Sequence, residues 1–151
     1  ALDAAAALTP EQYHRRAESS FGSVRDTLVH TYSADWVWFM RWQGESPAGL
    51  LDPAGYPDVA SLRRAWSELE AHVRNLIAAR GDDGLQAVIS YRLFSGQESA
   101  QPLWQLVQHV VNHASYHRGQ VTTLIRQVGG VPPKACDLIA FYRENSVVGG
   151  R

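Results

Sequence analysis

Three stretches of the chain carry apolar side chains at helical spacing, and each runs into glycine. They are Ser23 to Trp42 before Gly44, Asp58 to Arg80 before Gly81, and Leu103 to Val128 before Gly129-Gly130. Glycine just past a periodic run is a helix stop, because it accepts the left-handed backbone that closes a helix. In the second stretch Leu62, Ala65, Trp66, Leu69, Val73, Leu76 and Ile77 form one stripe at spacings of three, four and seven. Val24, Leu28, Ala34, Val37 and Trp38 recur in the same way in the first. Each stretch is apolar on one face and polar on the other. Helices of that kind bury their stripes against one another, so the pattern predicts an all-α helical bundle. With 151 residues the whole chain, 1–151, reads as a single domain.

The remaining segments fit around these rods. Ala1 to Leu8 has strong helix propensity, and the chain opens inside it, so further helix is expected ahead of Ala1. Thr9-Pro10-Glu11-Gln12 reads as an N-cap followed by proline at the first helical position, predicting a short helix to about Arg16. Ser20 and Ser23 both suit the cap of the first long helix, and Asp58 that of the second. Gly44 to Pro57, with three prolines and three glycines, reads as a loop long enough to force a crossover. Gln86 to Phe94 leans toward extended structure, a strand or an irregular crossover. Pro102 opens the third long helix, Val131-Pro132-Pro133 is an extended linker, Asp137 to Glu144 a short C-terminal helix, and Val147 to Arg151 a frayed tail.

Composition narrows the function classes. Hydrophobic residues are 45% and charged residues 19%, which excludes intrinsic disorder. Fourteen basic residues face fifteen acidic ones, without the basic surplus of a nucleic-acid binder, so no nucleic-acid partner is expected. No apolar run is long enough for a membrane span, and the Ala-rich start lacks the basic flank of a signal peptide. A single cysteine, Cys136, allows no internal disulfide and fits a reducing cytoplasm.

Six histidines are the chemical signal. His109, His113 and His117 stand four apart on the third long helix. Each step of four turns a helix through about 400°, so neighbouring rings differ by only ~40° in direction. His113 and His117 therefore project side by side on the face of Leu106, Val110, Val121 and Leu124, toward the core. Two imidazoles one turn apart can share a metal ion. A third ligand is expected from a facing helix: His30 near the middle of the first long helix, or the carboxylates of Asp26 or Asp35. Three protein ligands with one open position is the catalytic pattern, whereas four would mark a structural ion. His109 reads as a neighbour of the site or an ordinary histidine, and His14 and His72 as surface residues. Gln120, three residues after His117, suits a hydrogen bond to a ligand ring. Arg118 points about 100° away, toward an acid on a neighbouring helix, and Gly119 suits close packing against another helix. Trp36, Trp38, Trp42 and Trp104 belong to the core, a dimer interface or a pocket wall.

Asn112-His113-Ala114-Ser115-Tyr116-His117-Arg118-Gly119-Gln120 resembles the N-H-x3-H-R-G-Q signature of DinB-like proteins, the DinB/YfiT superfamily. Gly22 to His30, followed by Trp36-Val37-Trp38 and Arg41-Trp42-Gln43-Gly44, resembles the second-helix signature of the same family, and Leu138-Ile139-Ala140-Phe141-Tyr142 its C-terminal helix. The resemblance runs from about Thr9 onward. It implies a four-helix bundle with up-down-down-up connectivity and a divalent metal, zinc or nickel, held by His30, His113 and His117. Members usually begin with a complete first helix, of which this chain holds only the tail end.

The resemblance also implies chemistry. Related proteins include bacillithiol S-transferases and a mycothiol-dependent isomerase, so the leading expectation is a metal-dependent transferase that activates a low-molecular-weight thiol against a small electrophile. The alternatives are a hydrolase using a metal-bound hydroxide and a non-enzymatic, stress-induced metal-binding or dimerisation module. A homodimer is expected on each reading.

Overall fold

The computed structural model describes residues 1–134 and 137–145. Three long helices dominate it: α3 (Val24–Trp42), α4 (Val59–Leu85) and α5 (Leu103–Gln127). Two short helices, α1 (Leu2–Ala6) and α2 (Pro10–His14), precede them, and α6 (Leu138–Glu144) follows. The architecture is the all-α bundle that the sequence predicts.

The ends of the helices lie where local chemistry puts them. Thr9 and Gln12 form a reciprocal capping box at α2. Between the two serine candidates for α3, Ser23 is the cap: its hydroxyl accepts from the Asp26 amide at 3.0 Å. Asp58 accepts from the Ser61 amide at 2.7 Å and starts α4. Inside α4, Gly81 leaves the helical region with φ 59° and ψ −174°, so the regular helix breaks at the predicted stop and resumes as one more turn. The long loop before α4 contains a 3-10 turn at Pro53–Gly55.

The extended segment is a strand, and it has a partner that the sequence reading did not identify. Strand β1 (Val88–Arg92) pairs antiparallel with β2 (Glu98–Pro102), Ser90 opposite Ala100. The chain then passes directly from β2 into α5, with Pro102 as the last strand residue and the helix N-cap together.

The closest helix packing is α3 on α5, with α4 set against both, α1 on α4 and α2 on α3. Val24, Leu28, Val29 and Tyr32 of α3 meet Leu62 and Leu69 of α4 and Val121, Leu124 and Ile125 of α5 in the main core. A second cluster, Trp42 with Leu103 and Leu106, ties the hairpin end of the bundle together. Of the other tryptophans, Trp36 is half-buried against the main core and Trp104 is exposed. Among the described residues no helix is long and apolar enough to cross a membrane. Cys136 and the tail from Val147 lie outside the described residues.

A candidate three-histidine metal centre

The i, i+4 spacing on α5 does what helical geometry requires. Nε2 of His113 and Nε2 of His117 lie 3.0 Å apart. His30, from the facing side of α3, completes the group: its ring centroid is 4.7 Å from that of His117 and 5.3 Å from that of His113. One nitrogen from each of the three rings falls within 4.8 Å of the others. The third ring comes from α3, the long helix packed most closely against α5.

The surroundings suit these rings to act as donors. His117 is 5% exposed, and its Nδ1 donates to Oε1 of Gln120 at 2.7 Å. A neutral imidazole that donates from Nδ1 presents a lone pair at Nε2, so Gln120 fixes the tautomer that a cation needs. Burial, reinforced by the neighbouring rings, pulls the pKa of His30 and of His113 down to about 4. Phe21, just ahead of α3, stacks on His30 with centroids 3.9 Å apart and planes 18° apart. It also meets the edge of His117 at 5.4 Å, so one phenyl ring walls two of the three histidines. Phe21 sits outside any helical periodicity, and no sequence signal marked it.

The fit to a cation rests on the nitrogens. Imidazole ligands at ~2.0–2.1 Å from a tetrahedral zinc would stand about 3.3 Å apart. The observed 3.0 Å pair and the 4.8 Å outer limit are within a small side-chain adjustment of that. Nδ1 of His30 and Nδ1 of His113 are buried and have no hydrogen-bond partner. Two buried neutral histidines left so poorly satisfied cost stability, and together with His117 they supply the three-nitrogen donor set that a divalent metal takes. The residues present fit one.

The other sequence candidates fall elsewhere. Asp26, one turn ahead of His30, is held by the guanidinium groups of Arg25 at 2.9 Å and Arg16 at 3.6 Å and is not part of the histidine cluster. Asp35 points to the far side of α3, where its Oδ2 accepts from Trp66 Nε1 at 3.0 Å. There it lines a cavity of about 630 Å³ between α3, α4 and α5, with Leu69, Val73, Val110 and Val121 among the walls. Burial raises the Asp35 pKa to about 7 against the pull of the Trp66 hydrogen bond and the Arg118 charge. His109 is exposed; its ring lies 5.9 Å from His113 and 5.0 Å from Trp38, a neighbour and not a member of the cluster. His14 and His72 are exposed, as expected.

Two expectations about the signature are overturned. Among the described residues Arg118 makes no ion pair across the bundle: its Nη2 donates to Ser115 on its own helix at 2.8 Å, and only its field reaches Asp35. Gly119 does not admit a neighbouring helix. It is exposed, and a methyl group there would touch nothing within 4 Å.

Known proteins share this frame. A model of the DinB family matches residues 1–145. Protein DinB of Bacillus subtilis is 27% identical over 127 residues, covering 81% of this chain and 74% of its own length. The crystal structure of a DinB-like protein from Bacillus cereus superposes with a TM-score of 0.69 at 18% identity, over 89% of this chain and 87% of that one. A match to the family model over nearly the whole chain shows that the chain belongs to the DinB family.

Proposed function

We propose that the protein is a divalent-metal-dependent enzyme of the thiol S-transferase type, with His30, His113 and His117 holding zinc or nickel. The observation that carries this reading is the convergence of three ring nitrogens within 4.8 Å, two of the rings lacking any partner for a buried Nδ1. A cation bound by three histidines supplies, at its remaining position, a thiol or water acidified enough to act as a nucleophile near neutral pH. The chain's own residues do the rest. Gln120 holds the His117 tautomer, and Phe21 shields His30 and His117 from water. No carboxylate joins the cluster: Asp26 is neutralised by arginines and Asp35 faces away. Among the described residues no carboxylate stands ready to take a proton, so the nucleophile depends on the cation alone for its activation; a thiol, whose unperturbed pKa is already about 8.5, needs the smaller shift of the two.

Metal analysis of protein purified without added metal tests the site. One equivalent of zinc or nickel is expected, and His30→Ala and His113→Ala should each abolish it. Retention by both variants would overturn the triad. Adding a low-molecular-weight thiol to the cobalt-substituted protein should produce a sulfur-to-metal charge-transfer band; its absence would favour the hydrolase or the non-enzymatic module. We also propose a homodimer in the cytoplasm. Trp104 and Val111, exposed and seven residues apart on α5, offer it an apolar face, and sedimentation velocity would detect it.

A further inference from the structure

A row of rings leads away from the histidine centre toward the hairpin. From His113 it passes to His109 at 5.9 Å, to Trp38 at 5.0 Å, and to Tyr91 of β1 at a further 5.0 Å. It ends on a guanidinium. Arg41 lies eleven residues beyond His30 on α3, about 20° away in direction and ~16 Å along the axis, so both project from the same face. Its Cζ stands 4.6 Å from the Trp38 ring, 5.2 Å from Tyr91 and 5.1 Å from Phe94 at the hairpin turn.

Arg41 is 4% exposed, yet no carboxylate among the described residues is within ion-pair distance of it. Nη2 donates to the Arg92 carbonyl at 3.1 Å, while Nε is buried and has no acceptor. A guanidinium is charged at every relevant pH and carries five donors. Aromatic faces attract it but accept no in-plane hydrogen bond, so three rings and one carbonyl leave the charge without a counter-ion. The rings beside it reach the surface: His109 is exposed and Trp38 and Tyr91 are half-buried. A planar guanidinium with an unsatisfied in-plane donor at Nε, flanked by aromatic faces, matches a carboxylate on a flat or apolar body.

We propose that Arg41 binds the carboxylate end of the small molecule handled at the histidine centre, whose body lies along Trp38 and Tyr91. This rests on the metal-dependent reading above and specifies its substrate class as apolar or aromatic carboxylates. Arg41 is then a specificity residue, remote from the reacting atoms.

The test titrates cobalt-loaded protein with ω-mercaptoalkanoates, from mercaptoacetate to mercaptoundecanoate, against the matching mercaptoalkanamides, following the charge-transfer band. At one intermediate length the carboxylate should bind at least tenfold more tightly than its amide. Arg41→Gln should bring that ratio near one without changing cobalt stoichiometry. Equal binding of acid and amide at every length, with the band present, overturns the Arg41 assignment and leaves the metal centre standing; this comparison needs no variant, so it decides even if Arg41→Gln does not fold. No band with any thiol overturns the thiol reading instead. Arg41 is then judged by tryptophan fluorescence with phenylbutyrate against phenylbutyramide. Preference for the acid supports it, and no preference overturns it.

Discussion

At the residue scale, a hydrogen bond decides what a side chain is for. The histidine pair was legible because i, i+4 is a geometric statement, true of any helix. The direction of Asp35 was not, since Asp35 and His30 differ by half a turn and periodicity alone does not say which face meets α5. The structure turns Asp35 toward Trp66 and burial raises its pKa to about 7. The sign follows from the reference state. Both folded and unfolded forms are protonated below about pH 4, so the group then costs nothing. As pH rises toward 7 the unfolded carboxyl ionises first and the folded state loses relative stability. By 1.36 kcal/mol per pKa unit the loss is on the order of 2–4 kcal/mol. Asp35→Asn should therefore flatten the fall in stability between pH 4 and 8, measured as urea midpoints across that range. Gln120 gives a second prediction. Gln120→Ala removes the acceptor for His117 Nδ1 and should weaken zinc binding roughly 10–100-fold in competition with a chelating dye, leaving the circular dichroism spectrum intact.

At the scale of the element, two glycines that look alike in the sequence behave in opposite ways. Gly81, at φ 59° and ψ −174°, occupies backbone that only glycine enters without strain, so Gly81→Ala should cost about 1–3 kcal/mol. Gly119 sits in regular, exposed helix with open space around its Cα. Gly119→Ala should raise stability by ~0.5–1 kcal/mol, seen as a higher thermal midpoint. The local pattern marks Gly81 as the stop after Arg80, and the backbone does break there, but packing around Gly119 is a tertiary fact. The caps of α2, α3 and α4 were legible because side chain and amide are three residues apart, well within a local pattern. Strand β2 was not: Glu98-Ser99-Ala100-Gln101-Pro102 has none of the β-branched or aromatic residues that mark a strand, and it is extended because β1 offers it a ladder. The ring row ending at Arg41 depends on that hairpin, so it too lay beyond a local reading.

At the scale of the whole molecule, the α3–α5 seam divides two environments. The histidines occupy one side, and the cavity with Asp35 the other. A cation that binds the folded chain alone stabilises it by about 2.7 kcal/mol at a hundred times Kd, a rise of roughly 5–10 °C in Tm for a domain of this size. Excess zinc should give that shift in the parent protein and none in a His30→Ala, His113→Ala double variant, by differential scanning fluorimetry. The bundle was legible as a whole because each stripe needs a partner, while the choice of α3 and α5 as the closest pair was not. That pairing has a consequence for assembly. Two donors travel on one rod and the third on another, and sliding one rod past the other by a single residue displaces the ring by ~1.5 Å and about 100°. A chain in the wrong register would offer a pair of ligands at most, so an ion held by all three rings would double as proof-reading of the fold.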